Sequence, residues 1–515
     1  MDAGRKDALR VSIKQQGLIH VTDSRWRNTL LLFGFSVLAF AVMGYHPGLE
    51  DDEVYLAAVK SKLNPALYPH NSIFFRTQMQ ATLFDNWMAA FVRLTHIPVA
   101  VAELLWQFVG IVLILALCRA IARELFQEPG AQWAGVAMVG AMFTLPVSGT
   151  AIYLVDQHLH PRTLAAALIL LGVWCVLKGK PLPAVLSLVT AFLIHPIMAA
   201  FGASFCLFLA AITSKQTAAC AGQHAQSRSA AAFVLLAPLA WLAPPACPAW
   251  YQIIHTRAYL FLDRWAWYSW LGVFAPLLLF WLLSRIARRH GQLRLSRFAL
   301  AMVLYGLCHE IFALLVWQTP ALVRLVPMQP MRYLHLVYLF MALIGGCLIG
   351  KYWLKSSIWR WTAYLLLFNA GMFAAQMYQL DGSSHLELPG LRSPNPWLQA
   401  FRWIRLNTPQ DAYFALNPYY LQAPEEDYHG FRALAERSQL ADAVKDTAVA
   451  GLFPSLAPEW NRQLTAEQGW RHFQLADFER LRAQFGVDWV LLAYPPPAGL
   501  DCRWHNATLS VCRVP

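Results

Sequence analysis

Residues 46–60 read HPGLEDDEVYLAAVK and follow directly on an apolar run at 29–45. Four acids, Glu50, Asp51, Asp52 and Glu53, stand together where the chain leaves that run. A helix that starts here gains from one or two acids, which satisfy free N–H groups and the helix dipole. Four adjacent like charges repel, so capping alone does not account for them. The run at 29–45 follows a long basic N-terminus without a small-residue cleavage site and reads as a retained signal anchor.

Outward from this stretch, apolar runs recur at 98–117, 132–150, 162–177, 181–194, 197–213, 230–246, 268–284, 298–317, 333–350 and 361–378. Most have the length needed to cross a hydrocarbon core. The composition agrees: 57% of the 515 residues are hydrophobic and only 14% charged, against about a quarter charged in soluble domains. The expected fold is a polytopic α-helical membrane protein of about eleven transmembrane helices, with a C-terminal extracytoplasmic α/β domain.

The net charge of +12 sits mostly in short loops between apolar runs, which points to membrane orientation and away from a nucleic-acid face. Arg5, Lys6, Arg10, Lys14, Arg25 and Arg27 precede the first run. Arg119, Arg123, Lys178, Lys180, Lys215 and Arg228 fall on the same side. So do the cluster Arg285, Arg288, Arg289, Arg294 and Arg297, and Lys351, Lys355 and Arg360. The opposite loops hold Arg257, Arg264, Arg324 and Arg332. This asymmetry predicts a cytoplasmic N-terminus and an outward C-terminus.

Three regions follow: a cytoplasmic segment 1–28, a transmembrane region 29–379 with a first outward loop at 46–97, and a domain at 380–515. The loop predicts helices over 52–63 and 78–94. In the second, Met79, Leu83, Trp87, Phe91 and Leu94 share one face, and Gln78, Thr82, Asp85, Asn86 and Arg93 the other, as suits an interfacial helix. In the last domain, 396–406 and 477–486 read as helices, and 412–416 and 487–494 as strands. The stretch 216–229 reads as a cytoplasmic loop. Trp250, Trp265, Trp267 and Trp270 suggest an interfacial aromatic belt. No internal repeat is visible.

Further candidates lie on the outward side. YLVDQHLHPRT (153–163) brings Asp156, His158 and His160 into one short loop, with Arg162 opening the next helix. Asp156 and His158 are spaced to share a metal or to orient one another; the simpler reading is a wet loop. His195-Pro196 forms another outward turn. Glu310 beside His309 lies deep in a span, where ionisable groups are costly and either paired or functional. Arg257, Arg264, Arg324 and Arg332 suit either lipid headgroups or a lipid-linked phosphate. Cys118, Cys175, Cys206, Cys220, Cys247, Cys308 and Cys347 show no metal spacing and read as small buried side chains. Cys502 and Cys512 flank a hairpin-like stretch and are expected to pair in an oxidising compartment; the sequon Asn506-Ala507-Thr508 lies between them.

This arrangement resembles the GT-C superfamily of integral membrane glycosyltransferases. The resemblance rests on EDDE (50–53) after the first span, Asp156 in a later outward loop, the short helices that follow, and a closing α/β domain. NTPQDAYFAL (407–416) and FGVDWVLL (485–492) are similar to stretches of such domains. HPGLEDDEVYLAAVKSKLNPALYPHN (46–71) is similar to a bacterial family of GT-C-like membrane proteins.

The resemblance implies inverting transfer of a sugar from a polyprenyl-phosphate donor on the outer face. Asp51 or Asp52 would be the general base or acceptor-orienting carboxylate. Asp156 would assist. Arg264 or Arg332 would hold the lipid phosphate, with His158 and His195 at the substrate. A divalent cation on Asp52, Asp156 and His158 is left open. No WWDYG-type acceptor motif is present, which argues against protein N-glycosylation. Membrane lipids are expected partners, and nucleic acid is not. The competing reading is a transporter or flippase of a lipid-linked or anionic substrate, for which His309 and Glu310 would be a proton relay. A scaffold that displays the last domain would have no use for the acids.

Overall fold

The computed structural model describes residues 25–221, 247–421 and 428–515. Helix α1 (Arg25–Met43) leads into the first loop, which holds α2 (Asp52–Leu63), α3 (Ile73–Met79) and α4 (Phe84–Thr95). Next come α5 (Val99–Leu125), α6 (Pro129–Ala141), the hairpin β1 (Pro146–Val147) and β2 (Ile152–Tyr153), α7 (Pro161–Leu177), α8 (Pro181–Ile194) and α9 (Pro196–Ala221). Helices α10 (Pro248–His255), α11 (Trp267–Arg289), α12 (Leu293–Gln318), α13 (Leu334–Ile349) and α14 (Ile358–Gln379) complete the helical part.

Among the described residues six helices are long and apolar enough to cross a membrane: Arg25–Met43, Val99–Leu125, Pro196–Thr213, Trp267–Arg289, Leu293–Gln318 and Pro330–Leu354. Two shorter apolar helices, α7 and α8, join them. The chain is therefore a multi-pass membrane protein. Helix α8 turns Leu182, Val185, Leu186, Val189 and Phe192 outward, and α11 turns out Leu271, Phe274 and Leu278. Apolar side chains left uncovered along whole helix faces are what a lipid surround permits.

Several of the eleven expected spans are not among these helices. The run 230–246, with Arg228 and the basic residues before Arg25, lies outside the described residues. The run 132–150 contains Pro146 and Gly149, so its helix ends at Ala141 and the remainder turns back as the β1–β2 hairpin. Helix α14 carries Arg360, Asn369 and Gln376 and is not among the six. Helix α9 continues to Ala221, taking in the first part of the expected loop at 216–229.

The first loop also departs from expectation. The predicted helix at 78–94 is two helices, broken where the Leu83 amide bonds the Leu193 carbonyl at the end of α8 (2.8 Å). Asp85, expected on the polar face, is buried against Lys62, while Leu83 and Leu94 are exposed.

The C-terminal sheet region contains α15 (Pro396–Asn407), β3 (Tyr413–Leu416), α16 (Phe431–Ala435), β4 (Ser438–Gln439), α17 (Lys445–Leu452), α18 (Ala457–Ala466), α19 (Leu475–Phe485), β5 (Trp489–Ala493), β6 (Asp501–His505) and β7 (Leu509–Arg513). Strand order is β4-β3-β5-β7-β6. Strand β3 runs parallel to β4 and β5, and β7 antiparallel to β5 and β6. Alternation along β5 sends Trp489 and Leu491 to one core with Phe401 and Phe414, and Val490 and Leu492 to the other with Phe478 and Leu481. Gly486 takes φ 80° to end α19. Cys502 and Cys512 face each other across β6 and β7 and are disulfide-bonded.

This region does not stand apart from the first loop. Val54, Tyr68 and Phe74 share a core with Trp250, Val449 and Trp460. Trp250, expected at the membrane interface, is 1% exposed and donates its indole N–H to the Gly451 carbonyl. Trp267, by contrast, is exposed.

Candidate active site

The backbone of residues 45–50 is held from three sides. The His46 amide donates to the Gln157 carbonyl (2.8 Å) in the loop before α7. Tyr45 exchanges hydrogen bonds with His385 and Glu387, in the segment after α14. The Glu50 amide donates to the Tyr428 carbonyl, and Gly430 to that of Gly48 (2.7 Å each). Gly48 sits at φ 83° against Leu434, where a Cβ would fall 2.6 Å from that side chain. Glu50 adopts φ 46° without being glycine, a strained conformation that the surrounding bonds hold in place.

This geometry separates the four acids. Glu53 is fully buried and points away into the sheet region. It accepts from the amide of Arg432 (2.7 Å) and the side chain of Gln439 (2.8 Å), and pairs with the Arg432 guanidinium at 3.2 Å. Arg432 also binds Asp446 through two nitrogens. Asp52 is 2% exposed and accepts from the Gly48 amide at 2.8 Å. Burial raises its carboxyl well above the usual carboxylate range, with His158 opposing. Asp51 and Glu50 keep contact with solvent, their side chains 32% and 47% exposed.

Asp51 occupies the N-cap of α2, yet its carboxylate makes no capping bond. Lys445, at the start of α17, donates to its Oδ1 at 2.8 Å, and His160 lies 3.1 Å from Oδ2. Against the desolvation that would raise it, Lys445, His160 and Arg162 hold the carboxyl well below its usual range. Its remaining lone pairs are free to accept from a ligand.

The loop 153–163 supplies the facing wall. Arg162 clamps Asp156 through Nε (3.1 Å) and Nη2 (2.6 Å). Burial notwithstanding, that guanidinium and the neighbouring histidines keep the Asp156 carboxyl far below the carboxylate range. The Arg162 amide donates to His160 Nδ1 at 2.9 Å, so the proton of the neutral ring is on Nε2, directed at Asp51. Burial and the nearby Arg162 charge push the His160 imidazole down to about 4, despite the two carboxylates beside it.

Glu50, Asp51, Asp156, His158 and Arg162 line one cavity of about 630 Å³. Its other walls are the β1–β2 hairpin, Tyr268 and Ser269 at the start of α11, and Gln379 at the end of α14. Arg162 Nη1 is buried without a hydrogen-bond partner, as are both ring nitrogens of His158. The site thus offers a two-faced carboxylate and a guanidinium with a donor to spare.

Other expected residues are placed differently. Asp52 does not line this cavity. Arg264 donates to the His255 carbonyl and covers the Phe261 ring, away from the cavity. Arg332 does not line it either, although Asp51, Tyr55 and Arg162 lie within Coulombic range of it and its buried Nε has no partner. His195 is buried beside His160, with ring centroids 6.0 Å apart. Asp52, Asp156 and His158 do not converge as metal ligands: among the described residues the group that does is His46, Glu387 and His429. Asp52 is taken up by the Gly48 amide and Asp156 by Arg162. Glu310 accepts from the Tyr333 hydroxyl (3.0 Å), and His309 meets Ser204 (2.9 Å), so the two adjacent residues have separate partners. Sequence reasoning missed Lys445, which carries no motif, and took Arg162 only as a helix start.

No family model matches the chain, and no curated protein matches it. Among solved structures it is similar to the apo form of the Archaeoglobus fulgidus oligosaccharyltransferase, at 12% identity over 91% of this chain and 70% of that one, with a TM-score of 0.42. It is also similar to the same organism's enzyme in complex with an inhibitory peptide and a dolichol-phosphate (13% identity; 91% and 70% covered; TM-score 0.39). A third likeness is to its complex with zinc and sulfate (13%; 90% and 68%; 0.41).

Proposed function

We propose that this chain is a GT-C-type membrane glycosyltransferase that moves a sugar from a polyprenyl-phosphate-linked donor to an acceptor at the outer face of a bacterial plasma membrane. In this reading the N-terminus is cytoplasmic and residues 380–515 form an extracytoplasmic domain. The observation that carries it is that Asp51 and Arg162 line one cavity, together with the sequence resemblance of residues 46–71.

The acceptor hydroxyl attacks the anomeric carbon as the bond from that carbon to the lipid phosphate oxygen breaks. The phosphate leaves as an anion, and Arg162, with Arg332 in Coulombic range of it, stabilises the charge. Asp51 orients the hydroxyl. A carboxylate held so low is a weak base in the ground state; it takes the proton only as bond formation acidifies the hydroxyl. Asp52 is too enclosed for this part, and Arg264 is engaged elsewhere.

The test is transfer of labelled sugar from a polyprenyl-phosphate donor in membranes that contain the full chain. Loss of transfer in Asp51→Asn and Arg162→Lys, with normal insertion, supports the reading. Undiminished transfer in both overturns the site assignment. Failure of the unmodified protein to bind any such donor, with uptake of an anionic lipid into vesicles instead, favours the transporter. A C-terminal reporter active only in the cytoplasm overturns the orientation.

A further inference from the structure

A second polar cluster lies five residues before Asp51 and takes no part in the site above. His46 and His429 are fully buried, and the Glu387 side chain is 6% exposed. One ligand atom from each lies within 4.8 Å of the other two. Glu387 Oε2 is 2.8 Å from His429 Nε2 and 3.4 Å from His46 Nδ1.

Hydrogen bonding within the trio leaves much unsatisfied. Neither ring nitrogen of His46 makes a hydrogen bond, and neither does Glu387 Oε1. The 3.4 Å approach of His46 to the carboxylate thus lacks hydrogen-bond geometry. Buried polar atoms left this way are costly unless something occupies them. The Tyr45 hydroxyl, 0% exposed and on the adjoining residue, also has no partner.

We infer that His46, Glu387 and His429 form a binding site for a divalent cation of the zinc class. Two imidazoles and one carboxylate form a three-ligand set that zinc uses with a fourth position open. Bonds of about 2.0–2.2 Å in a tetrahedron place neighbouring ligand atoms roughly 3.4 Å apart, the His46–Glu387 spacing. Imidazole nitrogens disfavour calcium and magnesium, which take oxygen ligands. An entry path exists, because Glu387 and Pro47 also line a surface cleft of about 830 Å³. The three ligands come from the exit of α1, the segment after α14 and the segment before α16, so the ion would tie both ends of the helical part to the sheet region.

Full-length protein in detergent is stripped with a chelator, exposed to zinc and desalted. We expect one zinc per chain and a higher unfolding temperature than the stripped form. Glu387→Gln and His429→Gln lose both effects, while His158→Gln keeps them. X-ray absorption on the zinc-loaded unmodified protein then shows two imidazoles and one carboxylate, a readout that needs no variant to fold. Stripped protein that takes up no zinc overturns the inference. Variants that retain it, or a ligand set of oxygens alone, do so equally. None of these outcomes depends on glycosyl transfer.

Discussion

The ammonium of Lys445 lies 2.8 Å from Asp51 Oδ1, across 394 residues of sequence, and 2.9 Å from Glu50 Oε2. It is the cation that keeps the cavity carboxylate ionised from outside the cavity. Lys445→Met should therefore move the acid limb of the transfer–pH profile to higher pH, because Asp51 then protonates nearer its ordinary value. The depressed Asp51 carboxyl stabilises the fold above its unfolded value of about 3.9, and this is lost as pH falls through the lower folded value. The variant should show less of that loss. An unshifted acid limb would disconnect Lys445 from the site.

Asp51→Asn and Asp52→Asn should behave differently although the residues are neighbours. Asp52 accepts the Gly48 amide and meets the Glu103 side chain; Asn can accept the one and donate to the other, at a cost of about 1 kcal/mol or less. Asp51→Asn removes the orienting charge and should lower transfer at least about a hundredfold. Rates of both variants, measured beside their unfolding temperatures, check this; equal losses would contradict the division.

His160 predicts a pH dependence of stability. Its folded value of about 4 lies below the free imidazole value of about 6.5. The unfolded chain then binds more protons in between, so stability falls as pH drops from 6.5 towards 4. The single-site effect is on the order of a few kcal/mol. His160→Gln should flatten the unfolding curve over that window relative to the unmodified protein. Parallel curves would show the ring already protonated.

Arg432 holds Glu53 and Asp446 together in a buried cluster. Arg432→Met leaves both carboxylates without their cation and should destabilise by roughly 3–5 kcal/mol. Thermal unfolding, or loss of the protein from membranes, reads this. Because Glu53 belongs to the first loop, cysteine cross-linking between that loop and α16 should fall as well.

Much of the helical frame was legible because apolar runs of fixed length are a one-dimensional signal. Residues 162–177 and 181–194 fall within a residue of α7 and α8, whose starts are marked by Pro161 and Pro181. The strand 412–416 and the helix stopped by Gly486 were legible for similar local reasons. The break between α3 and α4 was not, because it depends on a hydrogen bond to Leu193. Nor was the burial of Trp250, whose partner Gly451 lies 201 residues away. At the site, EDDE marked the place but not the roles. The four acids are sorted by what the chain brings to each: Lys445 to Glu50, Lys445 and His160 to Asp51, Gly48 to Asp52 and Arg432 to Glu53.

The contact between Lys445 and Asp51 also bears on biosynthesis. The acid is synthesised 394 residues before its cation. A chain inserted through α14 already has the cavity walls from α11 and the hairpin, but Glu50 and Asp51 stand side by side without the ammonium that both bind. A product truncated before α17 would therefore lodge in the bilayer with the acidic wall of this cavity uncompensated.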